Sequence, residues 1–185
     1  TDRAYVSNSG SNNVSVINTS TNTVLTTITA GMTPADVALN PTSRVYVTNS
    51  ASGTVSVINT STNSLVDLDS VTDGVQSTIT VGTNPNDVAV NSATNRVYIT
   101  NEGSTNISVI NTNTNTVVAT ITVGTSPDGI ALNPVTNRAY VANTGSNNVS
   151  VIDTVANTVL TTITVGTTPN FIALNTATNR VYITN

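Results

Sequence analysis

The chain is predicted to be an all-β protein made of β-propeller blades of four antiparallel strands, about four repeats of ~42 residues with incomplete first and last blades. Three observations predict this. Hydrophobic residues are 37% of the 185 and fall in short alternating runs of Val, Ile and Leu, the period of a strand and not of a helix. Thr, Val, Ile and Tyr favour extended backbone, and the Asn, Ser and Gly between the runs favour turns. Finally, one pattern recurs: RAYVSN, RVYVTN, RVYITN, RAYVAN and RVYITN place Tyr5, Tyr46, Tyr98, Tyr140 and Tyr182 at spacings of 41, 52, 42 and 42 residues. That period matches propeller blades and misses leucine-rich and helical repeats.

Within a unit, strand A is expected over Asp36–Asn40 (DVALN), B over Arg44–Asn49 (RVYVTN) and C over Thr54–Asn59 (TVSVIN). Strand D is expected over Thr23–Thr29 (TVLTTIT) of the preceding unit. B and C are the most apolar, as suits strands sandwiched between blades. The threonines of D suit an outer edge, where β-branched polar side chains keep the backbone extended without a greasy edge for pairing. The chain then divides into strands B–D of a first blade (1–31), a second blade (32–82) with an insertion (65–76), a third (83–124), a fourth (125–166) and an A–B half blade (167–185). The last A strand, Phe171–Asn175, would complete the first unit but leave one B strand surplus. The surplus is expected to be resolved between molecules, by terminal strands completing a neighbour's blade. A window cut from a longer propeller and a four-bladed ring with a spare strand are the alternatives. A stacked β-solenoid with two turns per repeat is the other fold the periodicity allows, because periodicity alone does not fix hairpins.

Composition removes much chemistry. Thr (38), Asn (28) and Ser (19) dominate, charged residues are 8%, and Lys, His, Cys and Trp are absent. Imidazole and thiolate metal sites, and Ser-His or Cys-His nucleophile pairs, cannot be built. A net charge of −4 and a pI near 4.2 argue against nucleic acid. No apolar stretch approaches the roughly 18 residues of a membrane span. The chain begins at Thr1 without an initiator Met, which reads as a processed protein or a part of a longer one. The lack of Lys with abundant Thr and Asn points to a location outside the cell, at an archaeal or bacterial envelope.

The repeats act as internal controls: a residue present in every unit is expected to build the unit. Arg3, Arg44, Arg96, Arg138 and Arg180 share one slot, and their guanidinium groups are expected to pair with carboxylates or turn carbonyls within or between blades rather than to form a basic ring for anions. Asn8, Asn49, Asn101, Asn143 and Asn185 are expected to be turn-formers that bond local backbone or adopt positive φ. The five tyrosines are expected to pack with their hydroxyls satisfied. Asp36, Asp87 and Asp128 stand just after the repeat proline, where a propeller would bring them toward a central channel and a cation; their unequal register favours turn capping instead. The insertion carries Asp67, Asp69 and Asp73 before Gly74, a loose likeness to a calcium loop without its closing Glu, and is the first candidate for a divalent ion. Met32 and Phe171 are unrepeated apolar residues near blade boundaries, which suits a subunit contact. The five Asn-x-Ser/Thr sequons (Asn13, Asn18, Asn59, Asn106, Asn148) are no more than chance placement supplies.

The Tyr-Val-Thr-Asn signature, with the segments GMTPADVALN and TVSVINT, resembles the YVTN-repeat β-propeller family known from archaeal surface-layer proteins. The resemblance covers the whole chain. It implies the propeller fold and leaves function open, since propellers host unrelated activities. Counterparts of the sites of propeller-bearing amine dehydrogenases and lactonase-like enzymes are not recognisable. The expected function is therefore that of a non-catalytic extracellular or cell-surface structural or adhesive protein, self-assembling as a ring, fibre or layer, with no cofactor and with a surface glycan or protein as a further partner. The alternative is a module that takes a glycan, peptide or divalent cation at one mouth. An enzyme would need carboxylate-only chemistry, which the single Glu102 disfavours.

Overall fold

A computed structural model describes residues 2–66 and 78–185. The first sheet is a three-stranded meander of β1 (Arg3–Asn8), β2 (Asn13–Asn18) and β3 (Thr23–Thr29). The second runs β4 (Pro34–Asn40), β5 (Arg44–Asn49) and β6 (Thr54–Asn59). Its outer strand is split by the insertion into β7 (Ser64–Leu65) and β8 (Thr78–Thr80), both paired with β6. The third sheet comprises β9 (Pro85–Asn91), β10 (Arg96–Asn101), β11 (Asn106–Asn111) and β12 (Thr116–Thr122). The fourth comprises β13 (Pro127–Asn133), β14 (Arg138–Asn143), β15 (Asn148–Asp153) and β16 (Thr158–Thr164). A last pair is β17 (Ile172–Asn175) and β18 (Arg180–Ile183). Each ladder is antiparallel and, apart from β6 with β8, joins consecutive strands. These are propeller blades, and the meander excludes the solenoid, whose coils would stack in parallel ladders.

Asparagine abundance is explained at the turns. Residues that end A and C strands fold back as Asx turns: Asn91 Oδ1 accepts the Ala93 N–H at 3.1 Å, and Asn59 Oδ1 accepts the Ser61 N–H at 2.8 Å. A later residue of the same turn then takes the left-handed region, such as Asn95 at φ 54 or Asn63 at φ 53.

Inner strands begin at Pro34, Pro85 and Pro127, earlier than the sequence suggests, because the chain pairs again across a bulge. In the second and third blades a buried hydroxyl satisfies an amide that the bulge takes off the ladder: the Asp36 N–H donates to Thr48 Oγ1 and the Asp87 N–H to Thr100 Oγ1, each at 2.9 Å.

The threonine-rich D strands do form the outer edge with most of their threonines exposed, but apolar residues are exposed beside them. Val24, Leu25, Val117, Val118, Val159 and Leu160 are all exposed there. What blunts the edge is a bulge repeated in place. Val16 pairs with Thr26 and Ile17 with Val24, which leaves Leu25 out of register; Val118 and Leu160 are displaced in the same way. A bulge bends the edge so that another strand cannot lie along it.

The core lies between blades. Val14, Val16 and Ile28 of the first sheet pack on Val45, Val47 and Ile58 of the second. Tyr46, Val55, Val57 and Ile79 pack on Val97, Ile99 and Ile110 of the third, and Tyr98, Ile107, Val109 and Ile121 on Ala139, Val141 and Ile152 of the fourth. Each such side chain, fully buried, contributes about 1.5–3 kcal/mol. Every blade thus carries one tyrosine face and one valine face, and each boundary joins unlike faces. At the two ends the faces stay open: Val6 is 43% exposed and Tyr182 56%.

Candidate functional site

The bulged starts of the inner strands surround a concave cavity of about 510 Å³ lined by Ala35, Asp36, Asn86, Asp87, Asp128, Gly129, Asn170 and Phe171. Asp36, Asp87 and Asp128 therefore do converge on one mouth, as their position after the proline suggested. Asp87 Oδ1 accepts the Val88 N–H at 2.7 Å, and Asp87 Oδ2 accepts the Ile130 N–H of the next blade at 2.8 Å. Asp36 Oδ2 lies 3.3 Å from the same Val88 N–H, again across a blade boundary. Asn86 Nδ2 donates to Asp128 Oδ1 at 2.5 Å. Burial, then the neighbouring Asp36, pushes the Asp87 carboxyl up to about 7. Burial, with the Glu102 charge second, also raises Asp128. Both oxygens of Asp87 are occupied by backbone N–H groups, so this carboxyl joins blades before it can serve a ligand.

At the opposite end of the inner hairpins the arginine slot reaches across boundaries. Arg3 Nη1 donates to the Thr60 carbonyl and, at 3.0 Å, to Asn63 Oδ1; both acceptors belong to the C–D turn of the second blade. Arg44 repeats this one blade on, donating to the Thr112 carbonyl at 3.0 Å and Asn115 Oδ1 at 2.8 Å. At the third boundary the Tyr98 hydroxyl takes the Thr154 carbonyl at 3.2 Å, and Arg96 turns back to the Asn95 carbonyl at 3.1 Å. The turn that Arg138 would meet has no equivalent in the last pair of strands, and Arg138 instead forms an ion pair with Asp153 at 3.4 Å. Arg180 stands exposed. The tyrosines follow the same gradient: Tyr46 and Tyr98 are fully buried, whereas Tyr182 is open.

The motif asparagines depart from the turn-former expectation. Asn49 has φ −116 and Asn143 φ −105, both extended. Their side chains are buried, and Asn49, like Asn101, bridges to the D–A turn, whereas Asn143 Oδ1 has no partner among the described residues. Asn49 Nδ2 donates to Ser56 Oγ at 2.9 Å, while Asn49 Oδ1 accepts the Gly31 N–H at 3.1 Å; Asn101 pairs with Ser108 and Gly82 in the same way. Asn8 and Asn143 donate to Ser15 and Ser150, each at 2.8 Å. The glycine is required by proximity: a Cβ on Gly31 would stand 2.6 Å from Asn49 Cγ, and one on Gly166 2.7 Å from Asn185 Cγ. A strand-end asparagine facing inward therefore locks the D–A turn to the B–C hairpin.

Met32 and Phe171 are both exposed, Phe171 by 70% and on the cavity wall. Asp67, Asp69 and Asp73 lie outside the described residues. Among the described residues no group of three or more His, Cys, Asp or Glu side chains is placed to hold a metal ion, and no helix is long and apolar enough to cross a membrane. The residues that the sequence left unremarked are the arginine acceptors Asn63 and Asn115. Their signal was present, since an asparagine closes the C–D turn of each unit (Asn22, Asn63, Asn115, Asn157) as regularly as the arginine opens strand B.

No family model matches the chain, and no curated protein matches it in sequence. Among solved structures, the hydrazine synthase of Kuenenia stuttgartiensis is similar over 98% of this chain, with a TM-score of 0.86 and 19% identity. The chain spans about half of that one, 52% of its length. At this identity the likeness establishes the blade architecture, and the activity named for that enzyme stays with that enzyme.

Proposed function

We propose that the chain is a non-catalytic structural or adhesive module of the cell exterior, built from blades of the YVTN-repeat type and placed at an archaeal or bacterial envelope. One observation carries this reading: most of the recurring polar side chains are engaged by the blades themselves. Arg3 and Arg44 donate to the next blade's turn, Arg138 pairs within its own blade, Asn49 and Asn101 hold the D–A turn, and both Asp87 oxygens accept amides. Side chains so engaged make a rigid array and leave little to act on a substrate. The Thr- and Asn-rich coat, without a single Lys, resists nonspecific ionic binding. The unlike end faces, one with Val6 and one with Tyr182, support self-association through terminal strands with a second copy, since they carry the two halves of every internal boundary. Light scattering across a concentration series tests this. The mass should rise toward rings or fibres, and a particle that keeps the mass of one chain at high concentration removes self-assembly.

The cavity of about 510 Å³ favours a second reading, a propeller that takes a glycan, a peptide or a divalent cation at one mouth. A glycan array that stays blank, together with melting that calcium does not change in the native chain, would remove it. Calcium-dependent melting abolished by replacing Asp67 and Asp69 would instead locate the ion in the insertion.

A further inference from the structure

The inner seam between the second and third blades is unlike the seam between the fourth and the last pair. Asp36 on β4 and Asp87 on β9 occupy the same slot in successive units, and both reach one donor, the Val88 N–H, at 3.3 and 2.7 Å. The second Asp87 oxygen accepts the Ile130 N–H of β13 at 2.8 Å, so Asp87 ties β9 to β13 while Asp36 ties β4 to β9. At the later seam the slot is Gly129, whose N–H donates directly to the Asn170 carbonyl at 3.0 Å. A side chain there would collide with that carbonyl.

Two carboxylates converging on a single amide hydrogen repel strongly if both are charged, and beyond the Val88 and Ile130 amides no cationic side chain lines the cavity to compensate. Asp36 faces Asp87 from β4, Asp128 lines the same cavity at the start of β13, and Glu102 follows β10; all are acidic. No arginine is among the residues lining the cavity, because the arginine slot opens strand B at the far end of each inner hairpin. Asp128 is already engaged by Asn86.

We propose that Asp36 and Asp87 share one proton, and that this proton latches the inner seam between the second and third blades. The Asp87 carboxyl O–H donates to an Asp36 oxygen, while the remaining lone pairs accept the Val88 and Ile130 amides. Removing the proton leaves two anions facing each other across the seam and pushes β4 away from β9. The direction of the titration agrees: Asp87 is raised from an ordinary 3.8 to about 7. A carboxyl whose folded value lies above its unfolded one stabilises fully below the unfolded value. The stabilisation declines as pH rises through the interval and is gone above the folded value. The latch is therefore closed near pH 4 and spent above about pH 7.

Native-state hydrogen exchange of the Val88 amide tests this, with Gly129 as the internal reference and rates corrected for base catalysis. Between about pH 4 and 7, Val88 protection should fall relative to Gly129 by up to about tenfold per pH unit, the slope one proton allows, and then level off. Asp36→Asn should flatten the profile, because a neutral amide at that position removes the charge conflict while keeping a hydrogen bond to Asp87. Parallel Val88 and Gly129 profiles in the native chain would overturn the latch, and that comparison decides alone if the variant does not fold. Protection at pH 8 restored by millimolar calcium would also overturn it, by showing that a cation and not a proton neutralises the pair.

Discussion

Strands β3 and β16 have the same sequence, TVLTTIT, yet differ in what surrounds them. In β3, Ile28 is 7% exposed because Val45, Val47 and Ile58 of the following blade pack over the same cluster. In β16, Ile163 is 48% exposed, because the last pair of strands supplies no third strand bearing a residue equivalent to Ile58. The interior and the end of the array thus hold one local structure with two burials. Strand formation is local, set by β-branched residues and Asx turns, whereas the hydrophobic stabilisation of a blade is delivered by its neighbour. This is the quasi-one-dimensional logic of repeat proteins, in which stability is a sum over units and nearest-neighbour interfaces.

The largest expected effect that tests this contrast comes from the tyrosines. Tyr46→Ala should cost about 3–5 kcal/mol in urea denaturation, since the ring is fully buried at the second boundary, and Tyr182→Ala under about 1. Similar costs at both positions would break the comparison. The identical heptapeptides sharpen it further, because propensity cancels between them. Ile28→Ala should destabilise by about 3 kcal/mol and Ile163→Ala by under about 1, read from the same denaturation curves.

A smaller contrast concerns glycines. Gly31→Ala places a methyl 2.6 Å from Asn49 Cγ and should cost about 2 kcal/mol, as Asn49 gives up its bond to the Gly31 amide. Gly10→Ala meets nothing within 4 Å and should stay within about 0.5 kcal/mol, measured as a shift in melting temperature.

The number of repeats, the strand order and the apolar character of strands B and C were legible in the sequence because the motif is repeated and each copy checks the others. Less legible was anything that depends on which copy lies beside which. Asp36 and Asp87 are 51 residues apart and meet only because consecutive inner strands pack side by side. The arginines are expected to meet turn carbonyls or carboxylates within or between blades, but the sequence does not say which copy does which: Arg44 finds the Thr112 carbonyl and Asn115 in the next unit, whereas Arg138, with the same slot, settles on Asp153 of its own blade. That aspartate stands where the other three units carry Asn18, Asn59 and Asn111, and it doubles as an Asx turn, accepting the Val155 and Ala156 amides that hold its carboxyl below the usual range. The outer bulges were invisible for a different reason. A bulge changes pairing without changing composition, so TVLTTIT reads as a plain strand although Leu25 is displaced from its ladder.

The central claim is that the arginine and tyrosine of strand B bind blade to blade at the internal boundaries, through Arg3, Arg44 and Tyr98. A double-mutant cycle on Arg44→Gln and Asn115→Ala, followed by denaturant unfolding, addresses it at a boundary where the guanidinium lies 2.8 Å from its acceptor. The two residues should couple by about 1 kcal/mol, and the single variants should each loosen the second boundary. Strictly additive effects would mean that the arginine does not hold the neighbouring blade, and would contradict the claim.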